Sequence, residues 1–436
     1  MQKRTLLIGI SALAAAGCAA VASGPQAINW DKIPSTRVAL FHPGQSSYQW
    51  LRSDAHKGAA KEVQRGDSCV SCHDDAQEEQ MMGSKILKGK HPLEPETAAL
   101  KGRKSHLDVQ VQAAYDEKNA YLRFQWKADQ PGTEHVYFRF DGKEWKKYGD
   151  TVWSKGVKEG KQPALYESRL SVMLDDGKVP GFAQQGCWQT CHNGMNDMPQ
   201  QATAEEVAAN PLLKATKKTD VRKFLPATRH DPSTWKSGKS VEEIAKQKDA
   251  GEFLDLMQWR GGRSAGIGMA DDGYVLDSRE SDAGKNMWAG NFDSKSKLPK
   301  FMWDEKKAGY KAIRAEQLHK AEHFLDPASN AVPFAADAGW KEGDLLPGNT
   351  ISRSHAAGSA ADNNAISTYK DGQWTLLLIR PLALANKDDK ALKPGAVYNV
   401  GFAIHDGNID GRGHFVSFAK TFGIGTKADI QALKLN

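Results

Sequence analysis

The placement of cysteine and histidine constrains this chain more than any other feature. There are five cysteines: Cys18, Cys69, Cys72, Cys187 and Cys191. Cys18 lies in an N-terminal apolar segment, and the other four form two close pairs, each followed at once by a histidine, His73 and His192. A disulfide scaffold of this size would scatter its cysteines, because closing long loops gains most. Cys69-Val70-Ser71-Cys72-His73 is the haem c attachment pattern. Two thiols spaced by two residues form thioethers to the two vinyl groups of one porphyrin, and the adjacent imidazole reaches the iron. A redox cysteine pair would want a βαβ context, and none is visible. A zinc site would need a second ligand pair at suitable spacing. Cys187-Trp188-Gln189-Thr190-Cys191-His192 carries one extra intervening residue, so its loop must bulge for both sulfurs to reach the vinyls. Its rival reading is a Cys187–Cys191 disulfide beside an incidental histidine. Asn193-Gly194-Met195 offers a tight turn that would close the site. The cofactor expectation is therefore two covalently attached haem c groups, with His73 and His192 as iron ligands.

An electron-transfer haem is six-coordinate, with His or Met as the usual second ligand. For the first haem His56, thirteen residues before Cys69 on an expected helix, is the favoured candidate, with Met81, Met82, His42 and His91 as rivals. For the second, His414 and His405 lead a set that includes Met195, Met198 and Met269. Gly411, Arg412 and Gly413 precede His414, and such a flexible turn lets an imidazole approach iron closely, while Arg412 can neutralise a propionate.

The N-terminus fits export. Lys3 and Arg4 form a positive end, Leu6 to Ala16 is a short apolar run, and Ala20-Val21-Ala22 fits a small-residue cleavage site, so residues 1–22 read as a signal peptide. Lipidation at Cys18 is a second reading, since Ala15-Ala16-Gly17-Cys18 resembles a lipobox without its usual Leu; only then would a membrane be a partner. An uncleaved anchor is disfavoured, because the run is shorter than the roughly 20 residues that span a bilayer. The expected location is the periplasm. The formal charge of +6 would become +4 after removal of Lys3 and Arg4, which haem propionates would roughly cancel. This balance argues against a nucleic-acid partner.

Two units are expected after the signal. Residues 23–98 read as a small helical and loop c-type haem module, with Ala55 to Arg65 helical and too few apolar residues to bury a core without a porphyrin at its centre. Residues 99–436 read as a mainly β unit. His106 to Tyr115 and Ala120 to Trp126 alternate with period two around an Asp116–Asn119 turn, a hairpin signal. Val136–Phe140, Arg169–Leu174, Trp374–Arg380, Val397–Ile404 and Phe415–Phe418 continue the strand run. Strands on both sides of a long polar middle suggest one β-sandwich from about 100–190 and 350–436, with residues 195–345 as a mixed insertion holding helices at Val241–Lys248 and Lys311–Phe324.

From about residue 105 onward the sequence resembles the haem-binding domain of the ethylbenzene dehydrogenase γ-subunit group, also described as the cytochrome c-552/DMSO reductase-like haem-binding domain. The resemblance rests on Ala113-Ala114-Tyr115 through Leu122-Arg123-Phe124-Gln125-Trp126, and on Asp255-Leu256-Met257-Gln258-Trp259-Arg260. It continues in Asp371-Gly372-Gln373-Trp374 to Arg380-Pro381-Leu382, and in Val400 to Gly407 followed by Arg412 to Ser417. The resemblance implies a β-sandwich enclosing one haem. In γ-subunit members this haem is b-type, held by Met and Lys, and takes electrons from a molybdenum subunit through iron–sulfur clusters. This chain departs in attaching its haem at Cys187 and Cys191, and in carrying His414 where the family's ligating Lys would sit. Both departures fit free-standing multihaem cytochromes, with the Cys69–His73 unit as an added module outside the resemblance.

His319 and His323 sit at i and i+4, a spacing that can bind metal, but a solvated helix face is the plainer reading. Asp271-Asp272-Gly273 and Asp406-Gly407 read as turns, and Trp188 as a ring packing against porphyrin. The leading function is a dihaem electron carrier in a respiratory chain, exchanging electrons with a quinol-oxidising enzyme, a molybdenum oxidoreductase or other cytochromes. The alternatives are a haem enzyme, such as a peroxidase or small-molecule reductase, and a haem subunit of a molybdenum oxidoreductase. The carrier is preferred over an enzyme because there are enough histidines to fill both distal positions and no acid/base set is visible.

Overall fold

The computed structural model describes residues 28–41, 77–78, 104, 106–192, 194–196, 201–232, 234–318, 324–384, 386–410 and 413–435. The expectations for the signal peptide and Cys18, for the Cys69, Cys72 and His73 motif, for His56 and its rivals, for Met198, for the His319/His323 pair and for Arg412 lie outside these residues.

The chain is mostly β. Thirteen strands form one large sheet, numbered here along the chain: β1 Thr36–Phe41, β2 His106–Tyr115, β3 Asn119–Lys127, β4 Arg169–Asp175, β5 Leu254–Arg260, β6 Asp271–Val275, β7 Arg279–Ser281, β8 Asn364–Lys370, β9 Gln373–Pro381, β10 Val397–His405, β11 Phe415–Val416, β12 Lys420–Ile424 and β13 Ile430–Lys434. The expected hairpin is β2–β3. Asp116 builds its turn by accepting from the backbone N–H groups of Lys118 and Asn119, each at 2.7 Å, while the Tyr121 hydroxyl donates to its other oxygen at 2.7 Å. β9 then pairs antiparallel with β3 from Gln373↔Lys127 to Pro381↔Asn119.

The strand order is β8-β9-β3-β2-β1-β11-β10-β4-β5-β6-β7, with β12 joined to β10 and β13, and β13 joined to β2. The sheet folds back on itself, so that its two halves face each other. Phe124 on β3 meets Phe402 on β10 edge-on at 5.4 Å, and Trp259 on β5 meets Trp126 at 6.1 Å and Trp374 at 4.8 Å. Phe124, Trp126, Trp259 and Phe402 are all at most 1% exposed. Each such side chain contributes about 1.5–3 kcal/mol by leaving water, and this facing pair of layers is the sandwich core.

Three findings modify the expected organisation. The middle section supplies β5, β6 and β7 to the large sheet rather than only covering it. β1 comes from the segment before residue 99 and pairs with β2 from Thr36↔Val111 to Phe41↔His106. Tyr137–Phe140 is a strand, but it belongs to a separate three-stranded sheet with Trp145–Tyr148 and Leu345–Pro347, over a satellite core that includes Trp303 and Ile313. The helix expected at Val241–Lys248 runs Val241–Ala250, opened by a Ser240/Glu243 capping box and closed by Gly251 in the left-handed region. The helix expected at Lys311–Phe324 is not formed over 311–318. There Ile313, fully buried, bridges to Leu345 and only a 3-10 turn, Ala315–Gln317, follows; tertiary pairing of a buried β-branched residue outweighs local helix preference. Asp271-Asp272-Gly273 is also not a turn. It opens β6, pairing with β5, because Arg260 of β5 holds the Asp271 carboxylate. No helix among the described residues is long and apolar enough to cross a membrane.

Candidate functional site

Alternation along β4, β5 and β10 sorts their side chains between two faces. Leu170, Val172, Met257, Trp259, Val400, Phe402 and Ile404 enter the sandwich core. Ser171, Met173, Leu256, Gln258, Ala403 and His405 point the other way. That outer face is nonetheless partly covered, by the segment between β4 and β5, and the two line an open cavity of about 370 Å³.

The second Cys-His motif forms one wall. Gly186–Thr190 is a turn of 3-10 helix that holds Cys187 against β10. Two glycines permit this approach. Gly186 has φ +56° and its missing Cβ would lie 2.5 Å from the Ala419 nitrogen, and a Cβ on Gly401 would lie 2.8 Å from Cys187 Sγ. Cys187 and Cys191 are both buried free thiols, so the rival disulfide is not formed. Cys187 lines the cavity, with Sγ 3.7 Å from the Phe402 carbonyl, and burial pushes its thiol up to about 12. Cys191 and His192 are buried in the same turn but do not line the cavity. The His192 ring stacks on Phe224 at 3.7 Å, and its Nε2 lies 2.7 Å from the Phe224 carbonyl oxygen. Trp188 is fully buried against Phe418, away from the cavity lining.

The cavity lining also carries His405, at the end of β10, and His414, just before β11. Their rings stack at 4.6 Å with planes 14° apart. His405 is 8% exposed and its Nδ1 has no hydrogen-bond partner among the described residues. Burial, with His414, Arg169 and Lys223 nearby, drives its pKa well below the ordinary imidazole value, so it stays neutral, the form that can ligate a metal. Met195 also lines the cavity, whereas Met269 lies elsewhere, bridged to Asn364.

The cavity wall is cationic. Arg169, Arg222, Lys223 and Arg279 line it against one acid, Asp220. Gln258 organises part of this wall, donating to the Ser171 hydroxyl at 2.8 Å and accepting from Arg260 at 2.6 Å and from Arg279. These cations and Gln258 were not identified as site residues from the sequence. Their positions, at 169, 222, 223, 258 and 279, are scattered, and only the fold makes them converge.

A cavity with an apolar floor, two imidazoles, a buried thiol and a cationic wall suits a flat, anionic, iron-bearing ligand better than a neutral one. Comparison with known proteins adds to this geometry. The family model described as ethylbenzene dehydrogenase matches residues 27–417. The chain belongs to this family. The matched span begins well upstream of residue 105, where the sequence resemblance starts, in keeping with the pairing of β1 into the main sheet. Among proteins similar to this chain, cytochrome c-552 of Stutzerimonas stutzeri is 25% identical over 436 residues, covering 100% of both chains. Cytochrome c-551 of Rhodocyclus tenuis is 28% identical over 212 residues, 49% of this chain and 68% of that protein.

Proposed function

We propose that this member of the ethylbenzene dehydrogenase family is a periplasmic dihaem c-type cytochrome that passes electrons between redox proteins of a respiratory chain. The observation that carries the proposal is the convergence of Cys187, His405 and His414 on one cavity of about 370 Å³ with a cationic wall. Its size falls in the range of cofactor pockets, about 300–1,000 Å³. The cytochrome names of the two relatives support the same reading.

Cys187, His405 and His414 fit a haem c in this cavity, whereas Cys191 and His192, which do not line it, would have to turn toward it. Cys187 and Cys191 would carry the thioethers, and His192 would be the proximal ligand, for which its Nε2 must give up the bond to the Phe224 carbonyl. His414 is the favoured distal ligand and His405 its rival. Bound there, the group supplies a one-electron iron couple. The protein's own contribution is to bind and orient. Met173, Leu256 and Ala403 present apolar contacts to a porphyrin, and Arg169, Lys223 and Arg279 offer charge-assisted hydrogen bonds to propionates. The neutral state of His405 keeps an unprotonated nitrogen available beside His414.

Cys69, Cys72 and His73 would hold the second haem, with His56 as the favoured distal ligand. Topology supports a relay between the two. The segment bearing this motif leaves the sheet at Phe41 and returns at His106, which are paired residues. Phe41 also pairs with Val416, two residues beyond His414, and packs in the same apolar cluster as Cys187. Both roots of that segment therefore lie beside β11, the strand that His414 precedes. The apolar run Leu6–Ala16 supports export, with Cys18 lipidation as the alternative anchoring.

The family description favours one further reading, a haem subunit held by a molybdenum oxidoreductase. Purification from the native source separates the two. A carrier elutes alone, with both irons six-coordinate and low-spin, and exchanges electrons with a separate redox protein without consuming peroxide. A stable complex with a catalytic chain, or a five-coordinate iron with turnover, would refute the carrier.

A further inference from the structure

A second buried polar cluster lies apart from that cavity. On β5, Asp255 faces the opposite way from Leu256 and Gln258. Asp255, Asp272 and Asp389 bring carboxylate oxygens within 4.8 Å of one another, and so do Asp282, Asp388 and Asp389. None of the five is more than 9% exposed. They arrive from β5, from β6, from the residue after β7, and from the loop between β9 and β10.

Among the described residues, one cation serves the first group. Arg380, on β9 and fully buried, donates to both oxygens of Asp255 and lies 3.8 Å from Asp272 and 3.6 Å from Asp389. Lys390 is directed elsewhere, with its ammonium on Asp176 at 2.6 Å and on the Gly251 carbonyl. At the second group the Ala283 N–H donates to Asp388 at 2.8 Å, and the Ser359 hydroxyl lies 3.0 Å from Asp388 and 2.8 Å from Asp389. A hydroxyl has one proton, so it can donate to only one of them.

Asp282 is the decisive side chain. It is 6% exposed, its carboxylate faces Asp388 and Asp389, and neither of its oxygens has a hydrogen-bond partner among the described residues. Asn363, 2% exposed, adds a second unpartnered oxygen at the margin, its amide N–H being held by Asp272. Buried carboxylates in this number must be neutralised by protons or by a cation.

The geometry points to a structural calcium site formed by Asp282, Asp388 and Asp389, with the Ser359 oxygen as a further donor. The donor set is all oxygen and strongly anionic, with no nitrogen or sulfur, which selects a hard divalent cation. Calcium accepts irregular oxygen cages, whereas magnesium demands near-ideal octahedral geometry and keeps its waters. The ion would tie the β9–β10 loop and the 359–363 segment to the edge of the sheet at β7.

The test uses the full mature, haem-loaded protein. Elemental analysis after gel filtration should give one calcium per chain. EGTA should lower Tm, and calcium at a hundredfold excess over its Kd should restore it by roughly 5 °C, while equal magnesium should not. Asp282→Asn should abolish both the bound calcium and the EGTA response. If that variant does not fold, the wild-type stoichiometry and EGTA response decide alone, and Ser359→Ala should weaken calcium binding. The proposal is overturned if the wild type carries no calcium and melts at the same temperature in calcium and in EGTA. It is equally overturned if Asp282→Asn retains the full calcium content.

Discussion

Gly401→Ala tests whether β10 and the Cys187 turn are built to fit each other. The added Cβ would lie 2.8 Å from Cys187 Sγ and 3.1 Å from the Cys187 nitrogen, where ordinary contact begins at 3.4 Å. The turn must therefore retreat by about 0.6 Å. It has little room to do so. Gly186 already abuts the Ala419 backbone, and Trp188, fully buried, is stacked on Phe418. Overpacking of this kind costs about 1–3 kcal/mol, which should appear as a fall in Tm of a few degrees by calorimetry. The sulfur is displaced as well, so intact mass of the mature protein should show a fraction of molecules lacking the second haem. Gly290→Ala is the control, since a Cβ there meets nothing within 4 Å. A Gly401→Ala protein with wild-type Tm and full haem content would refute the reasoning.

His414→Ala should remove one bis-histidine signal from the low-temperature EPR spectrum of the oxidised protein while His405→Ala leaves both; an unchanged spectrum in the His414 variant would end its assignment as distal ligand. Trp259→Ala, which empties the centre of the sandwich between Trp126 and Trp374, should destabilise the fold by about 3–5 kcal/mol in denaturant titration. Burial holds His135 neutral by lowering its pKa to about 3. An unfolded histidine takes up a proton near pH 6.5, so the His135 contribution is complete above that pH and is lost as pH falls toward 3, by up to about 1.4 kcal/mol per unit. His135→Gln should flatten that part of the stability–pH curve, and an unaltered slope would exclude His135 as its source.

Several of the strands legible in the sequence have one core face and one more polar face, although β4, buried along its whole length, was legible from its apolar run. β2, β3, β9 and β10 show period two, and Asp116 marks the turn between the first two. β5 was noticed only as part of a family resemblance. All seven of its residues are buried, because one face enters the core and the other meets the cavity wall, so alternation carries little signal. β1 escaped notice for a different reason. It is six residues long, and its partner β2 lies beyond residues 42–105. At the site, Cys187, His405 and His414 were legible because their chemistry is rare and Cys187 stands in a spaced motif. Arg169, Lys223 and Arg279 were not, because a single arginine or lysine in a sequence is ordinary until the fold sets it beside the others. The carboxylate cluster was hidden in the same way, since its members stand at 255, 272, 282, 388 and 389.

The account rests on covalent haem at two Cys-His motifs, and the mass of the intact mature protein under denaturing conditions tests this most directly. Two haem-sized additions per chain are predicted, falling to one when Cys187 and Cys191 are both replaced by serine. A single addition in the wild type, with Cys187 and Cys191 alkylated as free thiols, would contradict it.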